Sequence, residues 1–415
     1  MLARVILLLA ILELKSMRGS SYQHSSSPTP ARASGPDLAR EPESDVENGS
    51  RMRAGPASER GESKIQNPKS KILAPLAVGF RLGAALRVAA YRQGWLKTSR
   101  LDRPVVSVGN LTVGGTGKTP LVKFLAESLL KRGRRPAILT RGYGRRNGLR
   151  TIALAPKSGR IADSREAGDE PALLARALPE VPIVVSADRY EAGRLAEDRF
   201  GADVHLLDDG FQHLALARDV DVVVLDITQE FSDRALLPAG GQREPCSALK
   251  RAHIVVLTRV ELGDPSLLEQ RVRQINPQAR VFHSRTKFCG LVDAQSGRIY
   301  PSGAFEGERA HAFCGIGNPK AFFANLKSWG FSLVAEDSFR DHHVYSERDV
   351  ARLLRRSKKS GAEVLVTTEK DAMNIPALFK DHRPILACVV QTELDEGQAF
   401  EEEVLARLKM AEARI

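Results

Sequence analysis

Residues 105–120 read VVSVGNLTVGGTGKTP, and their types are those that grip a triphosphate. Backbone N–H groups surround phosphate oxygens only where no Cβ blocks the approach, which Gly114, Gly115 and Gly117 allow. Thr112, Val113 and Thr116 fill the loop between them, and Lys118 and Thr119 close it. Lys118 would reach the β- and γ-phosphates, and the Thr119 hydroxyl would bind Mg²⁺. The general pattern G-x-x-x-x-G-K-[ST] has glycine where this chain has Thr112. A glycine turn that binds nothing is the bland alternative. The loop's setting argues against it, because a β-branched run precedes it and an apolar-periodic helix follows.

Other residues could serve a phosphate chemistry. Asp208 and Asp209 end an apolar run at 204–207 and precede Gly210 and His213; an acid at such a strand end is where a triphosphate enzyme holds Mg²⁺. A turn would need only the aspartate and the glycine. Asp169 and Glu170, in the stretch AGDEP, open a helix where the macrodipole favours acids, so capping accounts for them and catalysis is a second reading. A basic glycine turn, RGYGRR from Arg141, follows the strand at 136–140, and Arg243 and Glu244 lie beside prolines that would stiffen their loop. Further on, DHH at 341–343 and TTEKD at 367–371 each sit just past a strand. Thr258-Arg259-Val260-Glu261 is a distant echo of a guanine-recognition motif, with both key positions altered.

The elements that must position these residues alternate in the manner of an α/β protein. Strands are expected at 105–108, 136–140, 183–186, 204–207, 221–226 and 254–257, with helices at 121–131 and 189–199 between them. From about Phe282 the pattern shifts to shorter strands and turns. A second α/β unit follows, with strands at 310–314, 332–334, 363–367 and 385–390 and helices at 320–329 and 347–358 and to about Met410. Gly315-Ile316-Gly317 in this unit lacks the third glycine that a dinucleotide claim needs.

Length and charge set the frame. At 415 residues there is room for two α/β cores, and a net charge of +12 favours a polyanionic partner. Aromatics are only 6%, with no basic stretch interleaved among them, so no nucleic-acid partner is expected. Four scattered cysteines suit a reducing compartment. Residues 1–65 divide from the rest: 5–12 are apolar but too short to span a bilayer, and 16–62 have a composition that cannot bury a core. We expect disorder there. Residues 72–95 are apolar and helix-compatible yet punctuated by Arg81, Arg87 and Arg92, which suits a helix lying in a membrane interface with Phe80, Leu82, Leu86 and Trp95 in the acyl region. The alternative is a first helix packed on the core.

In order, GNLTVGGTGKTP, RGYGR, GDEP, DDGFQH, LLPAG with REP, FCGIGNP, DHH and TTEKD resemble the tetraacyldisaccharide 4′-kinase family, from about Leu73 to the C-terminus. The family's own loop is similar to this one, so Thr112 is no departure. The resemblance implies ATP and Mg²⁺ as cofactors, and a P-loop NTPase-like parallel sheet with helices on both faces plus a smaller Rossmann-like α/β domain. On this reading residues 66–100 associate with the membrane, 101–281 form the kinase domain and 282–415 the smaller one. The implied reaction moves the γ-phosphate of ATP to the 4′-hydroxyl of an anionic glycolipid, a tetraacyldisaccharide 1-phosphate. It would occur at the cytoplasmic face of the bacterial inner membrane, with no obligate protein partner. Asp169 is then implied as base, with His342 raising or steadying its basicity; Lys118 aids the transfer. Asp208 and Asp209 are the metal pair, Glu170 a further metal candidate, and Arg141 and Glu244 pocket residues. The competing class is a membrane-bound P-loop nucleotide switch.

Overall fold

The computed structural model describes residues 69–142, 151–154, 164–232, 236–376 and 384–414. The expected disordered extension and the end of the basic turn, Tyr143 to Arg146, lie outside them. The chain divides into two compact units, residues 1–75 and 76–415. Of the first, the described part is the opening of the helix Lys69–Arg92, and the second carries every strand described below.

Val, Ile and Leu runs without alternation form strands buried on both faces. Thus β1 (Val105–Asn110), β5 (Val204–Asp208), β6 (Val220–Asp226) and β7 (Ile254–Thr258) are buried throughout. With β2 (Pro136–Thr140), β4 (Ile183–Val185) and the edge strand β3 (Ile152–Leu154) they make the first half of one sheet. The second half holds β8 (Arg280–Asp293), β9 (Ile299–Pro301), β10 (Arg309–Cys314), β11 (Ser332–Ser338), β12 (Val364–Thr368) and β13 (Ile385–Leu394). The path runs β11-β10-β12-β13-β8-β7-β6-β1-β5-β2-β4-β3, with β9 paired to β8. Pairing is parallel within each half, apart from β3 on β4 and β9 on β8, and becomes antiparallel where β13 meets β8.

The boundary expected at 281/282 falls just inside β8, where hydrogen bonding is unbroken. The first residues of β8 pair with β7 from Ile254↔Arg280 to Thr258↔Ser284, and its remainder pairs with β13. The helix Gly397–Glu412, last in the chain, packs on the first half: Phe400, Val404 and Leu408 share a core with Leu121, Leu125 and Leu129 of the helix Lys118–Lys131. Its Phe400 ring stands edge-on to Phe282 at 5.3 Å and tilted to Phe124 at 6.1 Å. The C-terminus therefore covers the same face that backs the phosphate loop.

Candidate active site

The glycine loop leaves the carboxyl end of β1, as its composition requires. Gly114 at φ 112° and Gly117 at φ 91° are in the left-handed region, where a Cβ would be strained. The loop is tied from several sides. Asn110 Nδ2 donates to Thr116 Oγ1 at 2.9 Å, Thr112 Oγ1 donates to Gln229 Oε1 at 2.9 Å, and Val113 N donates to Gly241 O at 2.5 Å. Gly117 caps the helix that begins with Lys118 and Thr119, so that helix's unpaired N–H groups face the loop's concavity.

Lys118 Nζ lies 3.4 Å from Asp209 Oδ1, and Arg243 Nη1 meets both oxygens of Asp209 at 2.9 and 2.8 Å. Burial alone would raise the Asp209 pKa, yet these two cations hold it far below the carboxylate range. Asp208, next to it, has the opposite character. Burial, then the charges of Glu170 and Asp209, push its carboxyl up to about 7, and Asp208 Oδ1 is buried without a hydrogen-bond partner among the described residues. The acidic pair read from the sequence is thus divided: Asp209 is bound directly by two cations, whereas Lys118 and Arg189 act on buried Asp208 through their charges and do not outweigh its burial.

Asp169 and His342, 173 residues apart in sequence, meet at 2.9 Å through Oδ2 and Nδ1. Asp169 Oδ1 accepts the Glu170 N–H at 2.9 Å. Burial would raise the Asp169 pKa, but the hydrogen bond from His342 and the charge of Lys370 bring it below the ordinary value. The same bond to Asp169 raises the His342 imidazole. His342 adopts φ 112°, a conformation worth roughly 1–3 kcal/mol of strain for a non-glycine residue, and its backbone N–H reaches Gly315 O at 3.3 Å.

Lys370, from the TTEKD segment, joins this set although its sequence offered no role for it. Its Nζ lies 3.1 Å from Asp341, 3.3 Å from Glu170, 3.9 Å from Asp169 and 3.2 Å from His342 Nε2. Burial would lower its pKa, and Glu170, Asp169 and Asp341 together raise it. An ammonium only donates, so in the neutral ring Nε2 accepts from Lys370 and Nδ1 carries the proton given to Asp169. The signal that could have found Lys370 is a lysine two residues past a buried strand end, in the half that also supplies His342.

Two expected pocket residues are placed less directly. Glu244 is buried and bound by Arg251 at 2.9 and 3.0 Å and by Gln212 Nε2 at 3.0 Å, with the Arg251 guanidinium stacked 4.3 Å from the Phe211 ring centroid. It braces the DDGFQH turn. Arg141 directly follows β2 and is half-buried. Contacts Glu170–Lys370 and Lys370–His342–Asp169 join the Asp–His pair to Glu170. Lys118–Asp209 ties the phosphate loop to the acidic pair, and the charge of Glu170 acts on Asp208 between these two sets. Such a set can bind a triphosphate, neutralise it and accept a proton beside it.

A model of the family described as tetraacyldisaccharide-1-P 4'-kinase matches residues 69–409. The chain belongs to this family. It is 40% identical over 330 residues to the tetraacyldisaccharide 4'-kinase of Geobacter metallireducens, covering 80% of this chain and 96% of that one. The corresponding figures for the tetraacyldisaccharide 4'-kinase of Anaeromyxobacter dehalogenans are 43% over 335 residues, 79% and 87%. Among solved structures, "apo" form LpxK from Aquifex aeolicus in complex with ATP superposes with a TM-score of 0.63 at 30% identity, over 82% of this chain and 99% of that one. As a tetraacyldisaccharide 4'-kinase family member the enzyme is an ATP-dependent phosphotransferase of lipid A biosynthesis acting on a glycolipid, and the nucleotide-switch reading is not favoured. No helix among the described residues is long and apolar enough to cross a membrane.

Proposed function

We propose that the enzyme transfers the γ-phosphate of ATP to the 4′-hydroxyl of a tetraacyldisaccharide 1-phosphate, with Asp169 as the base. The observation that carries this reading is the 2.9 Å hydrogen bond between Asp169 and His342, which brings one residue from each half of the sheet to the same point. The loop amides and Lys118 hold the phosphates. The 4′-oxygen attacks the γ-phosphorus, the bond to the β–γ bridging oxygen breaks to release ADP, and the hydroxyl proton passes to the Asp169 carboxylate. His342 keeps Nδ1–H on one Asp169 oxygen, which fixes the carboxylate's orientation.

Mg²⁺ fits the residues present. The buried oxygen of Asp208 that has no hydrogen-bond partner among the described residues and the Thr119 hydroxyl at the helix start are suited to hold it, and Glu170, whose charge acts on Asp208, is a further candidate. Bound there, the cation would offset the phosphate charge. Asp209 is better assigned to steadying Lys118, since Lys118 and Arg243 occupy its oxygens.

We also infer peripheral attachment at the cytoplasmic face of the inner membrane. Leu82 and Leu86, on a helix that carries Arg81 and Arg92, are 58% and 44% exposed, and Trp95, just past the end of that helix, is 64% exposed. Flotation with vesicles containing anionic lipid should carry the protein; failure to float would remove this inference. For the reaction, ATP labelled in its γ-phosphate should label the glycolipid in detergent with Mg²⁺. Hydrolysis of ATP without labelled lipid would overturn the acceptor assignment.

A further inference from the structure

Asp226, Arg259 and Asn318 lie outside the machinery described above, yet they converge on the back of the phosphate loop. Asp226 ends β6, and its side chain has no exposed surface. Both carboxylate oxygens are saturated. Oδ1 accepts from Thr228 N at 3.0 Å and Thr228 Oγ1 at 2.7 Å; Oδ2 accepts from Asn318 Nδ2 at 2.8 Å and pairs closely with Arg259 Nη1. A buried carboxylate with this many donors is a fixed point around which other groups are arranged.

Two groups of β7's end act on the loop from that point. Arg259, in a left-handed conformation at φ 62°, donates through its other terminal nitrogen to Gly115 O at 2.8 Å. Thr258 Oγ1 donates to Thr116 O at 2.9 Å. In a trans peptide the carbonyl of one residue and the N–H of the next point in opposite directions. Pinning the Gly115 and Thr116 carbonyls outward therefore turns the N–H groups of Thr116 and Gly117 inward, where phosphate oxygens must be met. The TRVE segment, altered at both key positions of the guanine-recognition motif, has a use as the loop's outer anchor.

Asn318 brings the second half to the same carboxylate. It donates to Thr228 Oγ1 at 2.9 Å as well as to Asp226, while its Oδ1 accepts Ala321 N at 3.2 Å and caps the helix Pro319–Ser328. Beside it, Gly317 packs backbone to backbone on the loop: a Cβ there would lie 2.3 Å from Gly115 N and 2.5 Å from Gly114 Cα. No side chain fits at that contact.

We propose that Asp226, Arg259 and Asn318 are positioning residues for ATP, forming a junction that aims the loop amides and makes their alignment depend on the second half being docked. The inference rests on ATP occupying the loop but not on the identity of the acceptor. The test is equilibrium binding of ATP with Mg²⁺ to the full chain and to Asn318→Asp, which keeps the helix cap and shape but sets a like charge against Asp226. ATP affinity should fall roughly tenfold, as expected for losing a hydrogen bond to a charged group and gaining repulsion, with the KM for the glycolipid unchanged. Asn318→Ser, which still caps the helix but does not reach Asp226, should lose affinity in the same direction, less steeply. A merely structural role would lower the melting temperature and leave ATP affinity alone. Folded Asn318→Asp binding ATP within twofold of wild type would overturn the proposal; should that variant not fold, Asn318→Ser binding like wild type would do so.

Discussion

Replacing Lys370 by Met removes one positive charge and keeps the length of the stem, at a position whose contacts cross from one half of the sheet to the other. Lys370 lies 3.9 Å from Asp169 and 3.3 Å from Glu170, both in the first half, and 3.1 Å from Asp341 and 3.2 Å from His342 Nε2 in its own. At 3.9 Å and an effective dielectric of about 20, the attraction to Asp169 alone is about 4 kcal/mol before desolvation is subtracted. Breaking such a largely buried pair typically costs roughly 3–5 kcal/mol, because carboxylates are left uncompensated. Taking roughly 3 kcal/mol as the loss of alignment between the Asp–His pair and the phosphate loop gives about a hundredfold drop in kcat. The KM for ATP should stay within about threefold, since Lys118 and the loop amides are untouched. The assay is transfer of labelled phosphate to the glycolipid under saturating ATP, run beside a thermal melt of the same preparation. Lys370→Arg should recover part of the rate. A folded Lys370→Met enzyme with kcat within about threefold of wild type would show that the lysine only decorates the site, and the coupling argued from these distances would be wrong.

Asp169→Asn should lower kcat by roughly 10²–10⁴-fold with ATP affinity nearly intact, measured by single-turnover transfer and nucleotide titration; a loss of only a few-fold would make Asp169 a helix cap. His213 carries a pH signature in stability. Burial, then Arg189, Arg218 and Arg87, depress its imidazole to about 3, so folding favours the neutral ring. That contribution is complete above the unfolded pKa near 6.5 and is lost as pH falls from there toward about 3. By pH 5 it amounts to at most about 2 kcal/mol, and urea unfolding of His213→Asn should show a shallower loss between pH 7 and 5 than wild type. Phe400→Ala should cost roughly 3–5 kcal/mol in chemical denaturation and weaken the half that holds the phosphate loop; a drop below 1 kcal/mol would mean the last helix is not part of that core.

Local chemistry was legible where it is written in consecutive residues. The glycine loop, the acids at the end of β5 and the buried strands need only residue type and period, and β2 falls at the expected 136–140. What the sequence hid depends on partners far along the chain. Nothing in DDGFQH says that one aspartate is bound directly by two cations while an oxygen of its neighbour is buried without a hydrogen-bond partner among the described residues, because Arg243 arrives from a separate loop. Lys370 looks like an ordinary charged residue until β12 carries it to Asp169. The course of β8 was obscured for another reason. Its alternating exposed and buried residues suit short strands and turns, yet it runs unbroken for 14 residues, since β7 pairs with its start and β13 with most of its length. The affinity of the last helix for the first half is carried by Phe400, Val404 and Leu408, whose spacing announces an apolar face without naming its partner.

The unbroken passage of β8 bears on how the polypeptide could be divided. Ile254, Val255, Val256 and Leu257 of β7 have no exposed surface, and β8 supplies one of their two neighbouring strands. A piece ending at 281 would carry that row of unpaired N–H and C=O groups as a bare apolar edge, and would also lack the helix that covers its core. Expressed apart, the pieces should therefore collect in the insoluble fraction, each edge templating copies of itself; a soluble monomer from residues 69–281 would contradict this. The parts that look like separable modules in a linear drawing are, mechanically, one ribbon, so parting them over bound ATP would flex that ribbon instead of swinging on a tether.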